Sequence, residues 1–159
     1  MSESASVARV RAALLAAGQA DNIAEFPEGT RTAADAAAAV GCEVAQIAKS
    51  IVFRAGDEPV VVIASGANRV DAKKLAALLG VAIKRADADW VRAATGFAIG
   101  GVAPLGHSGP VRLVLDRDLL ALRPIWAAAG SPRHVFRTEA AELARITGAV
   151  VGDVRQEAG

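Results

Sequence analysis

The sequence predicts a single α+β domain, and three observations lead to this fold class. Short apolar strands alternate with helical segments along the chain. Its 159 residues suit one domain with a real hydrophobic core. No linker, internal repeat or low-complexity tail divides the sequence, so we expect one domain over residues 1–159.

Apolar periodicity and capping residues predict the helices. Val7, Val10, Leu14 and Leu15 form one face of an opening helix, which ends near Gly18. A polar side chain before a helix accepts hydrogen bonds from its first free N–H groups. Such residues predict four more helices: Thr32 with Asp35 for an Ala-rich helix up to Gly41, Asp71 for one through Leu79, Asp87 for one through Ala93, and Thr138 for one over residues 139–146 that Gly148 ends.

Short apolar runs bounded by Gly, Pro or acidic residues predict the strands. We expect strands at residues 23–26 (before a turn at 27–29), 47–53 and 59–65 (joined by 55–58), 111–115, 125–128, around His134, and at 149–154.

Composition excludes several classes of protein. No run of about 18 apolar residues is present, so no membrane span is expected. The first residues lack the basic and apolar regions of a signal peptide, and the cytoplasm is the expected compartment. The single Cys42 excludes an internal disulfide framework. Two widely separated histidines and one cysteine predict no metal site, and we expect no cofactor.

The segment Thr95–Gly106 places four glycines and one proline in twelve residues. Glycine allows another molecule to approach the main chain, and Pro104 fixes its own φ. The spacing of Gly100, Gly101 and Gly106 fits neither the dinucleotide fingerprint nor the P-loop. The segment is therefore either a tight turn between strands or a surface that offers backbone groups to a small polar ligand.

Three segments in a fixed order carry a family resemblance: Ile47–Phe53 with its lysine, Val70–Gly80, and Thr95–Gly106. The last contains Gly-x-x-x-Pro from Gly100 to Pro104, preceded by Thr-Gly-aromatic. Over nearly its whole length the chain resembles the YbaK-like aminoacyl-tRNA deacylase family, which includes the bacterial prolyl-tRNA synthetase editing domain and its free-standing relatives.

The resemblance implies a mixed, barrel-like sheet flanked by helices, and hydrolysis of mischarged aminoacyl-tRNA. It places Lys49 near the terminal adenosine and the ester, where the lysine positions substrate and supplies charge. The backbone N–H groups of Gly100 and Gly101 would hold the substrate carbonyl or the ribose. The family's reaction commonly uses the substrate's own ribose hydroxyl to orient water.

Further residues are candidates for binding the substrate. Three of them have a structural alternative: His107 as an exposed loop histidine, His134 as a strand or rim residue, and Asp153 as a strand-end cap. Two departures from the family put amino-acid specificity in doubt, namely the absence of tyrosine and the sequence of residues 127–134. The substrate-binding candidates are Phe26 (the aromatic residue nearest to a tyrosine site of some relatives), Ser65, Val102, Pro104, His107, His134 and Asp153.

Support for RNA binding is local, because the formal net charge is only +1. Residues 73–85 contain no acidic residue and four basic ones, namely Lys73, Lys74, Lys84 and Arg85. A solvated helix face explains Lys73 and Lys74 equally well. The expected partner is the acceptor end of mischarged tRNA, delivered by a synthetase or an elongation factor if needed. No DNA or membrane partner is expected.

Three functions remain open from the sequence. The first is a trans-editing deacylase, with tRNA(Pro) carrying a small wrong amino acid such as Ala or Cys as its substrate. The second is a non-catalytic module that binds aminoacyl-tRNA or a synthetase. The third is a hydrolase of another small aminoacyl ester.

Overall fold

The computed structural model describes residues 2–26 and 32–157, and the predicted turn at 27–29 lies outside them. The helices are α1 (Ser2–Ala16), α2 (Ala33–Val40), α3 (Ala72–Leu79), α4 (Ala88–Thr95) and α5 (Ala140–Thr147), with 3-10 turns at Val44–Gln46 and Arg117–Ala121. The strands are β1 (Ala24–Glu25), β2 (Ile47–Ala55), β3 (Glu58–Ser65), β4 (Lys84–Arg85), β5 (Arg112–Asp116), β6 (Ile125–Ser131), β7 (His134–Thr138) and β8 (Val150–Gly152).

The strands form one sheet in the order β1-β7-β6-β2-β3-β5-β8, with β4 paired to β2 outside this path. Pairs β1–β7, β6–β7, β2–β3 and β2–β4 are antiparallel. Pairs β2–β6, β3–β5 and β5–β8 are parallel. The mixed sheet and its flanking helices confirm the predicted α+β class. No described helix combines the length and apolar character that a membrane span needs.

Capping residues define most helix ends as the sequence predicts. Thr32 and Asp35 form the capping box of α2, and Asp71 and Asp87 accept N–H groups at the starts of α3 and α4. The prediction for the last helix is wrong by one residue. Thr138 belongs to β7, where it pairs with Ile125, so Glu139 takes the N-cap position without a side-chain bond.

Successive residues of the central hairpin enter different cores, because side chains alternate across a sheet. Val52 and Ile63 pack in the larger cluster with residues of α1, α4 and α5. Phe53 and Val62 pack on the opposite face in a cluster that includes Leu75 of α3. A third small cluster joins α2 to the start of β2.

One edge of β2 is interrupted in the middle of the strand. Ile47 and Ala48 pair with β6, and Phe53 and Arg54 pair with β4. Between them, residues 49–52 have no strand partner on that edge among the described strands. Backbone groups at an unpaired edge can bind another molecule. The gap contains Lys49 and therefore positions the candidate site.

Candidate active site

Two cavities open along the gap in β2. One has a volume of about 520 Å³ and the other of about 590 Å³. Both are lined by Lys49 and Ser50 from β2 and by Gly100 and Val102 from the glycine-rich loop. The structure thus brings together the two motifs that the sequence analysis singled out, and it places them where the cavities meet.

The first cavity has six alanines of α2, β2 and β6 in its lining, beside Ile47 and Trp126, and we call it the small-residue cavity. Its walls include Ala33, Ala36, Ala48, Ala127 and Ala128. Apolar walls with a few fixed polar groups are typical of pockets that bind small molecules.

Lys49 is partly buried, opposite Ala64 in the β2–β3 ladder. Within residues 2–26 and 32–157, no hydrogen bond or ion pair engages its ammonium. Burial lowers the pKa of Lys49, the charge of Arg69 lowers it further, and the carboxylate of Asp116 acts in the opposite direction. Because no described residue pairs with it, the ammonium is available to a substrate.

Asp116 is fully buried at the end of β5, and its negative charge acts on Lys49. Its carboxylate accepts hydrogen bonds from the Ser65 N–H at 3.1 Å, the Asn68 amide at 2.8 Å and the Asp118 N–H at 3.0 Å. Sequence reasoning missed this residue, although an acid directly after an apolar strand is a usable signal. Its contacts fix the turn after β3.

The opposite effects of Arg69 and Asp116 on Lys49 give a testable prediction. We expect Arg69→Ala to raise the pKa of Lys49, because a repelling charge is removed, and Asp116→Asn to lower it, because an attracting charge is removed. NMR titration of ¹³C-methylated lysines, with the Lys49 signal assigned by its loss in Lys49→Arg, measures both shifts. Unchanged midpoints in both variants would contradict this electrostatic arrangement.

Ser65 and Ser50 have different surroundings. The Ser65 hydroxyl donates to the carbonyl of Ala45 at 2.7 Å, and Ser65 lines neither cavity. The Ser50 Oγ is buried at the junction, and no described residue is its hydrogen-bond partner. No signal in the sequence distinguished Ser50 from other strand serines.

The glycine-rich loop offers fewer N–H groups than the sequence suggests. The Gly101 N–H donates to the carbonyl of Ala98 at 3.0 Å, which differs from the expectation that it faces a substrate. In the described part of the chain, the N–H groups of Gly100 and Val102 have no acceptor. Gly100 has a φ of 93°, a conformation that favours glycine. A Cβ on Gly101 would lie 2.8 Å from Cα of Ser131, so Gly101 allows close packing.

Arg9 of α1 holds both ends of this loop. Its Nη2 donates to the carbonyl of Gly96 at 2.6 Å and its Nε to that of Gly106 at 3.3 Å. The guanidinium also lies 5.1 Å from the ring centroid of Phe97.

His107 contacts Phe97 edge-to-face and hydrogen-bonds the carbonyl of Ala103 at 2.8 Å. Burial lowers the pKa of His107. In this structure His107 supports the loop and lines neither cavity.

Loss of the Arg9 clamp should affect catalysis through the loop. We expect Arg9→Ala to lower kcat on aminoacyl-tRNA by about 10-fold and to lower Tm, because the hydrogen bonds from one charged side chain are worth about 1.5–3 kcal/mol each. Arg11→Ala is the matched control, since Arg11 lies on the same helix as Arg9 and makes only an exposed ion pair with Asp21. Equal effects of the two changes on kcat would contradict the clamp.

A chain of polar groups forms one wall of the small-residue cavity. Ser131 and His134, which both line it, share a hydrogen bond of 2.6 Å between Oγ and Nδ1. Nε2 of His134 lies 3.5 Å from the carboxylate of Glu25. The N–H of Phe26 donates to the Arg133 carbonyl at 2.7 Å, which extends β1 along β7. His134 thus lines the small-residue cavity, whereas Phe26 lines neither cavity.

The remaining candidates divide into two groups. Lys84 and Arg85 line the second cavity. Asp153 lines neither cavity and pairs with Lys74 at 3.0 Å, and this hydrogen bond lowers the pKa of Asp153. Lys73 and the buried Pro104 also lie outside both cavity linings. Over the described residues, no cluster of His, Cys, Asp and Glu could hold a metal ion.

A family model described as an aminoacyl-tRNA editing domain matches residues 27–146. The uncharacterized protein YwhH of Bacillus subtilis is 29% identical over 128 residues, which cover 80% of this chain and 82% of YwhH. The proline–tRNA ligase of Desulfotalea psychrophila is 32% identical over 70% of this chain, which matches only 19% of the ligase.

Two crystal structures are similar to this chain over nearly its whole length. One, described as "a putative trans-editing enzyme for prolyl tRNA synthetase", has 44% identity and a TM-score of 0.90, and the match covers 96% of this chain and 98% of the other. The hypothetical protein APE2540 has 29% identity and a TM-score of 0.87, with 93% and 99% covered.

Proposed function

The chain belongs to the aminoacyl-tRNA editing domain family, and on this premise we propose that it is a trans-editing hydrolase of mischarged aminoacyl-tRNA. Its proposed substrate is tRNA(Pro) that carries a small wrong amino acid such as Ala or Cys. Charged tRNA as substrate makes the cytoplasm the proposed compartment, and a synthetase or an elongation factor the proposed delivering partner.

The meeting of the two cavities at Lys49 is the observation that carries this proposal. The substrate's ester joins a small amino acid to the ribose of a polyanion. A cavity rich in alanine and a cavity that carries four cations share Lys49, Gly100 and Val102 in their linings. An ester bound at this junction would have its amino acid on one side and its nucleotide on the other.

In the proposed reaction, water attacks the ester carbonyl carbon and the carbon–oxygen bond to the ribose breaks. The water supplies a hydroxyl to the released amino acid and a proton to the ribose oxygen. The N–H groups of Gly100 and Val102 would donate to the developing oxyanion, and one such donor contributes roughly 2.7–4 kcal/mol. Lys49 would add its positive charge, while the neighbouring ribose hydroxyl orients the water.

A protein nucleophile is not needed for this chemistry, because the aminoacyl ester is already activated. Cys42 is a poor candidate, since burial and then Glu43 raise the pKa of its thiol. Its Sγ lies 3.3 Å from the carbonyl oxygen of Glu43 and lines neither cavity. Positioning and charge stabilisation suffice in this scheme.

Turnover under excess substrate tests the proposed function. A panel of tRNAs charged with Ala, Cys, Ser, Thr and Pro is incubated with catalytic amounts of protein. We expect multiple turnovers on Ala- or Cys-tRNA(Pro) and none on Pro-tRNA(Pro). Tight binding without turnover would favour the non-catalytic module instead. Equal hydrolysis of an aminoacyl ester lacking tRNA would favour a general aminoacyl esterase.

A further inference from the structure

We propose that the second cavity, which we call the basic cavity, binds the phosphodiester groups of the single-stranded 3′ end of tRNA, with Arg69 as a principal contact. This inference rests on the proposed function and assigns it an RNA subsite. No local sequence pattern marks Arg69.

The charged side chains that line the basic cavity are all cationic. Lys49, Arg69, Lys84 and Arg85 line it, and no carboxylate does. In the described chain, none of these four side chains forms an ion pair or a hydrogen bond. Since grouped cations repel one another, this arrangement favours an anionic ligand. Phosphate oxygens of single-stranded RNA supply such charges, and cationic grooves bind them.

Three acids in the neighbouring segments pair with cations that do not line the cavity. Arg155 pairs with Asp118 at 3.4 Å, and Lys74 pairs with Asp153 at 3.0 Å and with Glu157 at 2.7 Å. Arg69, Lys84 and Arg85 have no such partner in the described chain, whereas Lys74 is paired with two carboxylates. The depressing effect of Arg69 on the pKa of Lys49 agrees with their closeness.

Backbone pairing fixes the walls of the cavity. The Arg69 carbonyl accepts the Gln156 N–H at 2.8 Å, and Val70 forms a bridge with Arg155. On the opposite wall, β4 places Lys84 and Arg85 beside Arg54 and Phe53. The backbone that carries these cations is therefore set before a ligand binds, which lowers the entropic cost of binding.

The basic cavity also has an exposed apolar side chain, which a nucleotide base could contact. Ile99 precedes Gly100 in the loop, lines the basic cavity and is 60% exposed. An exposed apolar surface beside cations suits a ligand that combines a base with a phosphate. In this arrangement the terminal base would contact Ile99, and the adjoining phosphate would contact Arg69.

Arg69→Ala tests the inference with two substrates, Ala-tRNA(Pro) and 3′-O-alanyl-adenosine, which has no phosphate. We expect kcat/KM on the tRNA to fall about 10-fold or more through KM, with hydrolysis of alanyl-adenosine unchanged. The slope of the logarithm of the association constant for tRNA against the logarithm of salt concentration should become shallower by about 0.7, the value for one phosphate contact in a single strand. Arg69→Lys should restore most of the slope.

Arg92→Ala is the matched control, because Arg92 is exposed on α4, lines neither cavity and carries the same charge. Equal losses on both substrates, or no loss on either, would overturn the assignment of Arg69. Multiple turnovers of wild type on Ala-tRNA(Pro) would still support the proposed function in those cases. If wild type hydrolyses neither substrate, anisotropy with an unacylated CCA trinucleotide decides the inference: weaker binding by Arg69→Ala supports it, and equal binding overturns it.

Discussion

Replacement of Lys49 by alanine should lower kcat on Ala-tRNA(Pro) by about 100- to 1,000-fold, the range observed when one group that stabilises a developing oxyanion is removed. The ammonium lies where the two cavities meet, and no described residue neutralises it. In the ground state a substrate carbonyl is nearly neutral, so the charge acts mainly on the transition state. We therefore expect KM to change much less than kcat, as single-turnover and steady-state kinetics would show.

The same variant should fold normally, because Lys49 makes no hydrogen bond or ion pair within the described chain. A Tm within a few degrees of wild type would show that the loss is chemical. Lys49→Arg keeps the charge but changes its shape, and we expect intermediate activity. Activity of Lys49→Ala within about threefold of wild type would exclude Lys49 from the reaction.

Gly101→Ala should lower kcat by about 100-fold, since a displacement of 1 Å at a reacting centre can have an effect of this size. A Cβ at this position would lie 2.8 Å from Cα and 3.0 Å from N of Ser131. Both are backbone atoms of β6, so the loop itself must shift. That shift would move the N–H groups of Gly100 and Val102 and should reduce stability by about 1–3 kcal/mol.

Gly109→Ala provides the control for this substitution. A Cβ at Gly109 would meet the Ala94 carbonyl oxygen at 3.8 Å, an ordinary contact, and Gly109 does not have a positive φ. We expect wild-type kcat and Tm from Gly109→Ala. Wild-type kcat in Gly101→Ala would mean that the position of the loop does not determine the rate.

Local sequence features predict much of the fold. Thr32, Asp71 and Asp87 mark helix starts because capping depends on residues within one turn. The two-residue strand β4 could not be predicted in this way. Lys84 and Arg85 form it only because the edge of β2 is nearby, and that proximity is a property of the tertiary structure.

In the candidate site, too, some residues belong to a local sequence pattern and others come together only in the tertiary structure. Lys49 and the segment Gly100–Pro104 form a sequence pattern, and the structure places Lys49, Gly100 and Val102 at one junction. Arg9 binds Gly106 and Asp116 binds Ser65 across 97 and 51 residues of chain, respectively, so no local pattern indicates either contact. The engagement of the Gly101 N–H by Ala98 likewise depends on the loop's conformation rather than on its composition.

A structure with bound 3′-deoxy-3′-alanylamido-adenosine, in which an amide replaces the ester, tests most directly whether the acyl bond lies where the two cavities meet. The proposed site predicts the carbonyl oxygen beside Gly100, Val102 and Lys49, the alanyl methyl group in the small-residue cavity and the adenosine in the basic cavity. Binding at the cavity of about 390 Å³ lined by Leu14 and Gln19, or with the two ends reversed, would contradict it.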